Sequence, residues 1–220
     1  MINSPVVQAA FFKSTAVLAA VWLSVTALGA QPPRFPQLKL DDTAGDQRAL
    51  AERMMKETRV GLGGPWNILL RSPNVGQAMV DLYHYFRWNS SLSNRLVEFG
   101  ILVTAREAAA PYEWFIHYPL AIKEGASAAA LAQVREGKRP AAAREDEAAA
   151  YDFATELLRH HVVTDDTFLK AKTVLGEKGV VDLAALVGTY QAIGGMLNVA
   201  QVWGTTGSAP GYLPLPAKHR

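Results

Sequence analysis

The chain has 220 residues, half of them hydrophobic and 19% charged, with a formal net charge of +2 and no cysteine. That is enough apolar material for a continuous core in one large domain or two small ones, and it excludes a disordered chain. Charges mixed along the chain without a basic stripe exclude nucleic acid as a partner, and the missing cysteines exclude disulfides, thiolate metal sites, a cysteine nucleophile and Cys-x-x-Cys redox chemistry.

The chain opens on a leader. Lys13 precedes an uncharged apolar run, 14–29, that ends at Ala30 and is followed by Gln31-Pro32-Pro33. The run reads as a secretory signal peptide, 1–30, because it is shorter than the roughly 20 residues a bilayer span needs. Cleavage after Gly29 puts Ala27 at the third position back, whereas cleavage after Ala30 puts Leu28 there. The expectation is an exported protein, periplasmic or secreted, with no membrane attachment once the leader is removed. No later segment reads as long and apolar enough to span a membrane. Residues 31–46 carry Pro32, Pro33 and Pro36 with little periodicity, and predict an extended lead-in on the surface or on a neighbouring subunit, outside the core.

Helical spacing then takes over for a domain over 47–205. Leu50, Met54 and Met55 predict a helix from Gln47 to Thr58, stopped by Gly61-Leu-Gly-Gly-Pro65. Ser72-Pro73 starts a second helix with Val75, Met79, Leu82, Tyr83 and Phe86 as its stripe, running to about Trp88. The segment from Ser91 to Ala109 is apolar nearly all round, which predicts a buried helix with Glu98 inside it. Pro111 opens the next, through about Glu124 and bent at Pro119, and Ser127 caps a short one to Arg135. A further helix covers Arg144 to His160. Thr164 caps a short segment that Gly176 to Gly179 breaks, and Val181 to Trp203 carries the most regular apolar pattern in the chain. Gly194-Gly195 inside it predicts close helix approach. Residues 206–220 form a tail. No segment alternates with period two, so the fold class is all-α, a helical bundle with short links.

Two side chains stand out chemically. Glu113 and His117 are four residues apart, so on a helix they share one face, and a carboxylate beside an imidazole favours the protonated ring and orients it. The same spacing also suits an ordinary i, i+4 pair at a helix interface. Glu98 must be paired, protonated or turned toward a polar cavity to sit in so apolar a helix, with Glu107 or an arginine as simple structural partners. Arg87 and Arg106 are candidate cations for an anionic substrate. Trp114 and Tyr118 are candidates for pocket lining or plain packing. His84, beside Tyr83 and Tyr85, reads as structural, and His160-His161 as a helix-end cap. Glu113 and His117 offer two metal ligands at most, and no second such pair completes a cage, so no metal is expected.

The stretch from Val97-Glu98 through Ala105-Arg106 to Tyr112-Glu113-Trp114-Phe-Ile-His117-Tyr-Pro-Leu-Ala121-Ile-Lys-Glu-Gly125 resembles the carboxymuconolactone decarboxylase family of the alkylhydroperoxidase-D-like superfamily. The resemblance extends from Asp46 to Val202, including Gly64-Pro-Trp-Asn, Arg71-Ser-Pro-Asn, Val187-Gly-Thr-Tyr190 and Met196-Leu-Asn198. It implies an alkylhydroperoxidase-D-like bundle and a homo-oligomer, trimer or hexamer. Aligning the histidine of alkylhydroperoxidase D's Cys-x-x-Cys-x-x-x-His pattern with His117 puts Ala110 and Glu113 where the thiols belong, so thiol peroxidase activity is excluded. What the resemblance implies instead is a decarboxylase or proton-transfer enzyme without cofactor, acting on a small carboxylate or lactone. His117 is then the acid or base, Glu113 its orienting partner, and Glu98 a proton relay or a wall of the pocket. The leader argues against the family's usual cytoplasmic substrate. A non-catalytic small-molecule-binding or scaffold protein of the same fold is the alternative, and a peroxidase that works without thiols is a third.

Overall fold

In the computed structural model the described residues are 34–217; the leader expected over 1–30 lies outside them. Apolar residues at helical spacing draw these residues into eight α-helices, and no strand occurs among them. They are α1 (Gly45–Glu57), α2 (Pro65–Leu69), α3 (Pro73–His84), α4 (Asn94–Glu107), α5 (Pro111–Lys123), α6 (Ala128–Arg135), α7 (Glu145–His160) and α8 (Asp165–Ala200).

The hub is α4. Every residue from Leu96 to Ala105 is buried, because apolar side chains recur on all its faces and α5, α6, α7 and α8 pack around it. Ser93 caps it, accepting from the Leu96 amide at 3.3 Å. Phe99, Leu102, Trp114, Leu131, Leu183 and Leu186 fill the main core around this helix. A second cluster of Leu50, Met54, Trp66, Leu69, Leu70 and Val80 joins α1, α2 and α3.

Several segments depart from the sequence reading. The loop expected at 61–65 leads into α2, a short helix with Pro65 at its first position, where proline's fixed φ suits a helix start. Val75 points outward, and Gly76 and Val80 make the buried side of α3 instead. Past His84 that helix continues as a single π-helical turn, Tyr85–Asn89, which sends Arg87 inward while Trp88 stays exposed. The lead-in is pinned from Leu38 onward: Leu38 and Leu40 pack on the second cluster, and the buried Asn67 amide bonds the Leu38 carbonyl at 2.8 Å and its amide at 3.0 Å.

α8 corrects two expectations. The break over 176–179 narrows to Gly176 alone, whose φ of 73° kinks the helix before it resumes at once. This helix is also long and apolar enough to cross a membrane by composition, with an 18-residue window of mean hydropathy 1.4, contrary to the sequence reading. Of that window 56% is buried in the bundle, the pattern of a core helix. Gly194 does allow close approach, since a Cβ there would lie 2.9 Å from that of Ala110, but Gly195 faces open space. Asp182 anchors the helix, accepting from Tyr85 Oη at 2.6 Å and from the Ser91 amide at 2.7 Å.

The C-terminal segment returns to α5. Leu213 is buried in the main core, the Pro210 carbonyl accepts from Trp114 Nε1 at 2.8 Å, and Arg135 donates to the Tyr212 carbonyl at 2.6 Å.

Candidate active site

Two helices and the π-helical turn converge on one buried polar cluster. α4 contributes Glu98, fully buried in the hub; α5 contributes Glu113 in its first turn and His117 one turn later. The turn after α3 brings Arg87. Glu98 divides its carboxylate, one oxygen accepting from Arg87 Nη1 and the other lying 2.6 Å from His117 Nδ1. The opposite ring nitrogen, Nε2, faces Glu113 Oε2 at 3.3 Å. All four were named from the sequence, Arg87 only as a candidate cation, and they do come together, but Glu98 is the closer partner of the imidazole and Glu113 the looser one.

Electrostatics follow from this order. Burial opposes a charged imidazole, but the Glu98 charge and the polar contacts with Glu113 and Glu98 outweigh it and raise His117 to about 9. Burial opposes a charged Glu98 as well, but His117 and Arg87 outweigh it and lower that carboxyl to about 2. At neutral pH His117 is therefore an imidazolium clamped between two carboxylates, with Arg87 balancing Glu98 from the far side.

The cluster opens onto a slot between α3, α5 and α8, with about 590 Å³ of empty space counted out to its mouth and a cavity volume of about 50 Å³. His117, Glu113 and Arg87 form its polar wall; Phe86, Ile116 and Ile193 are among its apolar lining. His117 is 7% exposed, so it meets a cavity rather than bulk water or solid packing. Arg87 Nη1 is committed to Glu98, and no protein acceptor among the described residues takes the other guanidinium N–H groups.

Other sequence candidates fall elsewhere. Arg106 donates to the Arg135 carbonyl at 2.8 Å, away from the slot. Trp114 is fully buried with its N–H on Pro210, and Tyr118 stacks on it at 6.2 Å; neither lines the slot. His84 pairs with Glu57 at 3.0 Å and packs on Trp88, while His161 is the left-handed residue that ends α7. The sequence reading missed Arg59, exposed at the slot mouth with no ion-pair partner among the described residues, and gave Tyr190 no role at the site. Nothing local marks Arg59. Tyr190 was signalled by a polar tip on an otherwise apolar stripe and by its place in Val187-Gly-Thr-Tyr190.

No protein-family model matches the chain, and no curated protein is similar to it in sequence. Among solved structures, the chain is similar to a peroxidase-related protein from Ralstonia eutropha JMP134 with the alkylhydroperoxidase AhpD core, at a TM-score of 0.65 and 18% identity, covering 78% of this chain and 92% of that one. The fold is that of the alkylhydroperoxidase D core.

Proposed function

Starting from an alkylhydroperoxidase-D-core bundle whose buried acid–base cluster contains no thiol, we propose a cofactor-independent carboxy-lyase or proton-transfer enzyme for a small carboxylate or lactone. The observation that carries this reading is the clamped imidazolium at the wall of the slot: a proton donor held in one orientation beside space for a ligand. Peroxide reduction through the chain's own thiols is ruled out by the absence of cysteine.

Three positive groups, Arg59, Arg87 and His117, stand against two carboxylates, Glu98 and Glu113, around the slot. The surplus favours an anionic ligand, with Arg59 and the uncommitted N–H groups of Arg87 available to its carboxylate. For decarboxylation, the bond from carbon to carboxylate breaks, its electron pair passes onto a conjugated carbonyl, and carbon dioxide leaves. The proton on His117 then moves to carbon, and one from solvent replaces it. Nδ1 is held by Glu98, so exchange runs through Nε2, on the Glu113 side. The net reaction consumes one carboxylate and one proton and releases one carbon dioxide. Export through the leader, and assembly of several copies, belong to the same proposal.

Steady-state assays of the wild type and His117→Ala against a panel of lactones and keto acids test it. The expected result is product from the wild type and a loss of at least about 100-fold in the variant. Equal product formation by both overturns the enzyme and leaves a binding protein.

A further inference from the structure

Several of the polar groups around the slot are occupied by the protein itself. Glu98 holds Arg87 and His117, His117 holds both carboxylates, and the Thr189 hydroxyl donates to the Ala185 carbonyl at 2.8 Å. Away from the slot, Tyr85 is tied to Asp182 and Trp114 to Pro210. Four aromatic donors on the slot wall, Trp66, Tyr83, Tyr112 and Tyr190, have no such partner among the described residues, and of these only Tyr190 sets its ring against His117. Tyr190 is 5% exposed, it lines the slot, and its hydroxyl has no hydrogen-bond partner among the described residues. A buried hydroxyl demands a partner, so this one must come from the slot, as water or as a ligand atom.

Its place narrows the ligand chemistry. The phenol ring stands edge-on to the imidazole, centroids 5.4 Å apart and planes at 88°. A ligand in the slot that reaches His117 therefore lies against Tyr190 as well, within reach of its hydroxyl. The atom that gathers charge there, when the carboxylate leaves and before carbon is protonated, is the carbonyl oxygen. We infer that Tyr190 is a further catalytic residue, whose O–H donates to the carbonyl and then enolate oxygen of a substrate with a ketone or lactone carbonyl conjugated to the carbon that loses its carboxylate.

The inference rests on the proposed lyase reading and narrows it to carbonyl-conjugated carboxylates. It adds no redox step: electrons leave the broken carbon–carbon bond, rest on the oxygen bonded to Tyr190, and return to carbon as the His117 proton arrives. The phenol stays neutral throughout, as a donor must; burial raises its pKa, and the carboxylates Glu113 and Glu98 add to the effect against the opposing pull of Arg87.

The test uses two readouts on Tyr190→Phe, which keeps the ring and its contact with His117. The first is calorimetric binding of oxalate, a planar mimic of an enolate carboxylate, against succinate, a saturated dicarboxylate. Tyr190→Phe should weaken oxalate at least tenfold and leave succinate unchanged. Site-specific 3-fluorotyrosine at position 190, which keeps the hydroxyl and makes it a stronger donor, should tighten oxalate. Equal loss for both ligands, no loss for either, or no oxalate binding by the wild type overturns the assignment. The second readout is turnover on any substrate found for the wild type, where kcat should fall roughly 100-fold or more with KM little changed, because the oxyanion appears only after binding. Binding needs no turnover, so a wild type that binds oxalate through Tyr190 yet turns nothing over defeats the lyase reading alone. Should Tyr190→Phe fail to fold, the fluorotyrosine comparison decides.

Discussion

His117 Nδ1 lies 2.6 Å from Glu98 Oε2, across two helices and nineteen positions of sequence. This contact, closer than the one-turn contact with Glu113 at 3.3 Å, sets the protonation of the site. It ties the acid–base group to the most buried helix of the bundle, so the site and the hub share one set of interactions.

Stability should record that pair as a function of pH. His117 is raised from 6.5 to about 9, so its contribution is complete below 6.5 and is lost as pH climbs through 9. Glu98 is lowered from 4.5 to about 2, so its contribution is complete above 4.5 and is lost as pH falls through 2. The difference in unfolding free energy between the wild type and a Glu98→Gln/His117→Gln double variant should peak between pH 4.5 and 6.5 and shrink on both sides. The expected change toward pH 10 is a few kcal/mol, roughly 1.4 kcal/mol for each pKa unit. Urea midpoints across the range measure it; a flat difference refutes the pairing.

Arg87 and Glu98 should behave as a unit. Both are nearly inaccessible, with side chains 7% and 1% exposed, so removing Arg87 leaves the buried Glu98 with His117 alone, and removing Glu98 leaves a buried guanidinium without its carboxylate. Arg87→Met alone should cost about 3–5 kcal/mol, and adding Glu98→Gln should recover much of that loss. A double-variant cycle from chemical unfolding supplies the coupling energy, and simple additivity contradicts the expected outcome.

The glycines of α8 divide by environment. A Cβ added at Gly188 or Gly195 would have nothing within 4 Å, so alanine at either should stabilise the helix by about 0.4–1 kcal/mol. Gly194→Ala brings Cβ to 2.9 Å of Ala110 and should destabilise instead. Thermal unfolding of the three variants checks the order. Loss of stability at Gly188 or Gly195 means that another chain covers that face.

Catalysis should lose its alkaline side near pH 9. If His117 gives its proton in the reaction, kcat/KM falls as the imidazolium is lost at about 9. Glu98→Gln removes the charge that raises it, so this limb should move to lower pH. An unmoved limb assigns the proton to another group.

The fold was legible because helices announce themselves locally. Period-3.6 stripes and caps such as Ser127 and Thr164, both of which accept from the amide three residues on, placed most elements. Glu113 and His117 were legible for the same reason, since one turn of helix fixes their proximity, and Glu98 because a carboxylate in an apolar helix demands an explanation. Arg87 could be named as a cation but not as the partner of Glu98, because that pairing depends on a π-helical turn with no sequence mark. Arg59 and Tyr190 reach the slot only through tertiary assembly. The role of Trp114 was hidden too, since its partner is a backbone carbonyl 96 positions away.

That carbonyl gives the end of the chain a part in the chemistry. Trp114 sits between Glu113 and the rest of α5, and residues near Pro210 hold its indole from outside. Phe115 stacks on Tyr212 at 6.1 Å, a second clasp on the same turn. A protein trimmed after Trp203 would keep the eight helices yet leave the Trp114 N–H without its carbonyl and the place of Leu213 in the core empty. The first turn of α5, which carries both Glu113 and Trp114, would lose its outer support before the bundle itself came apart.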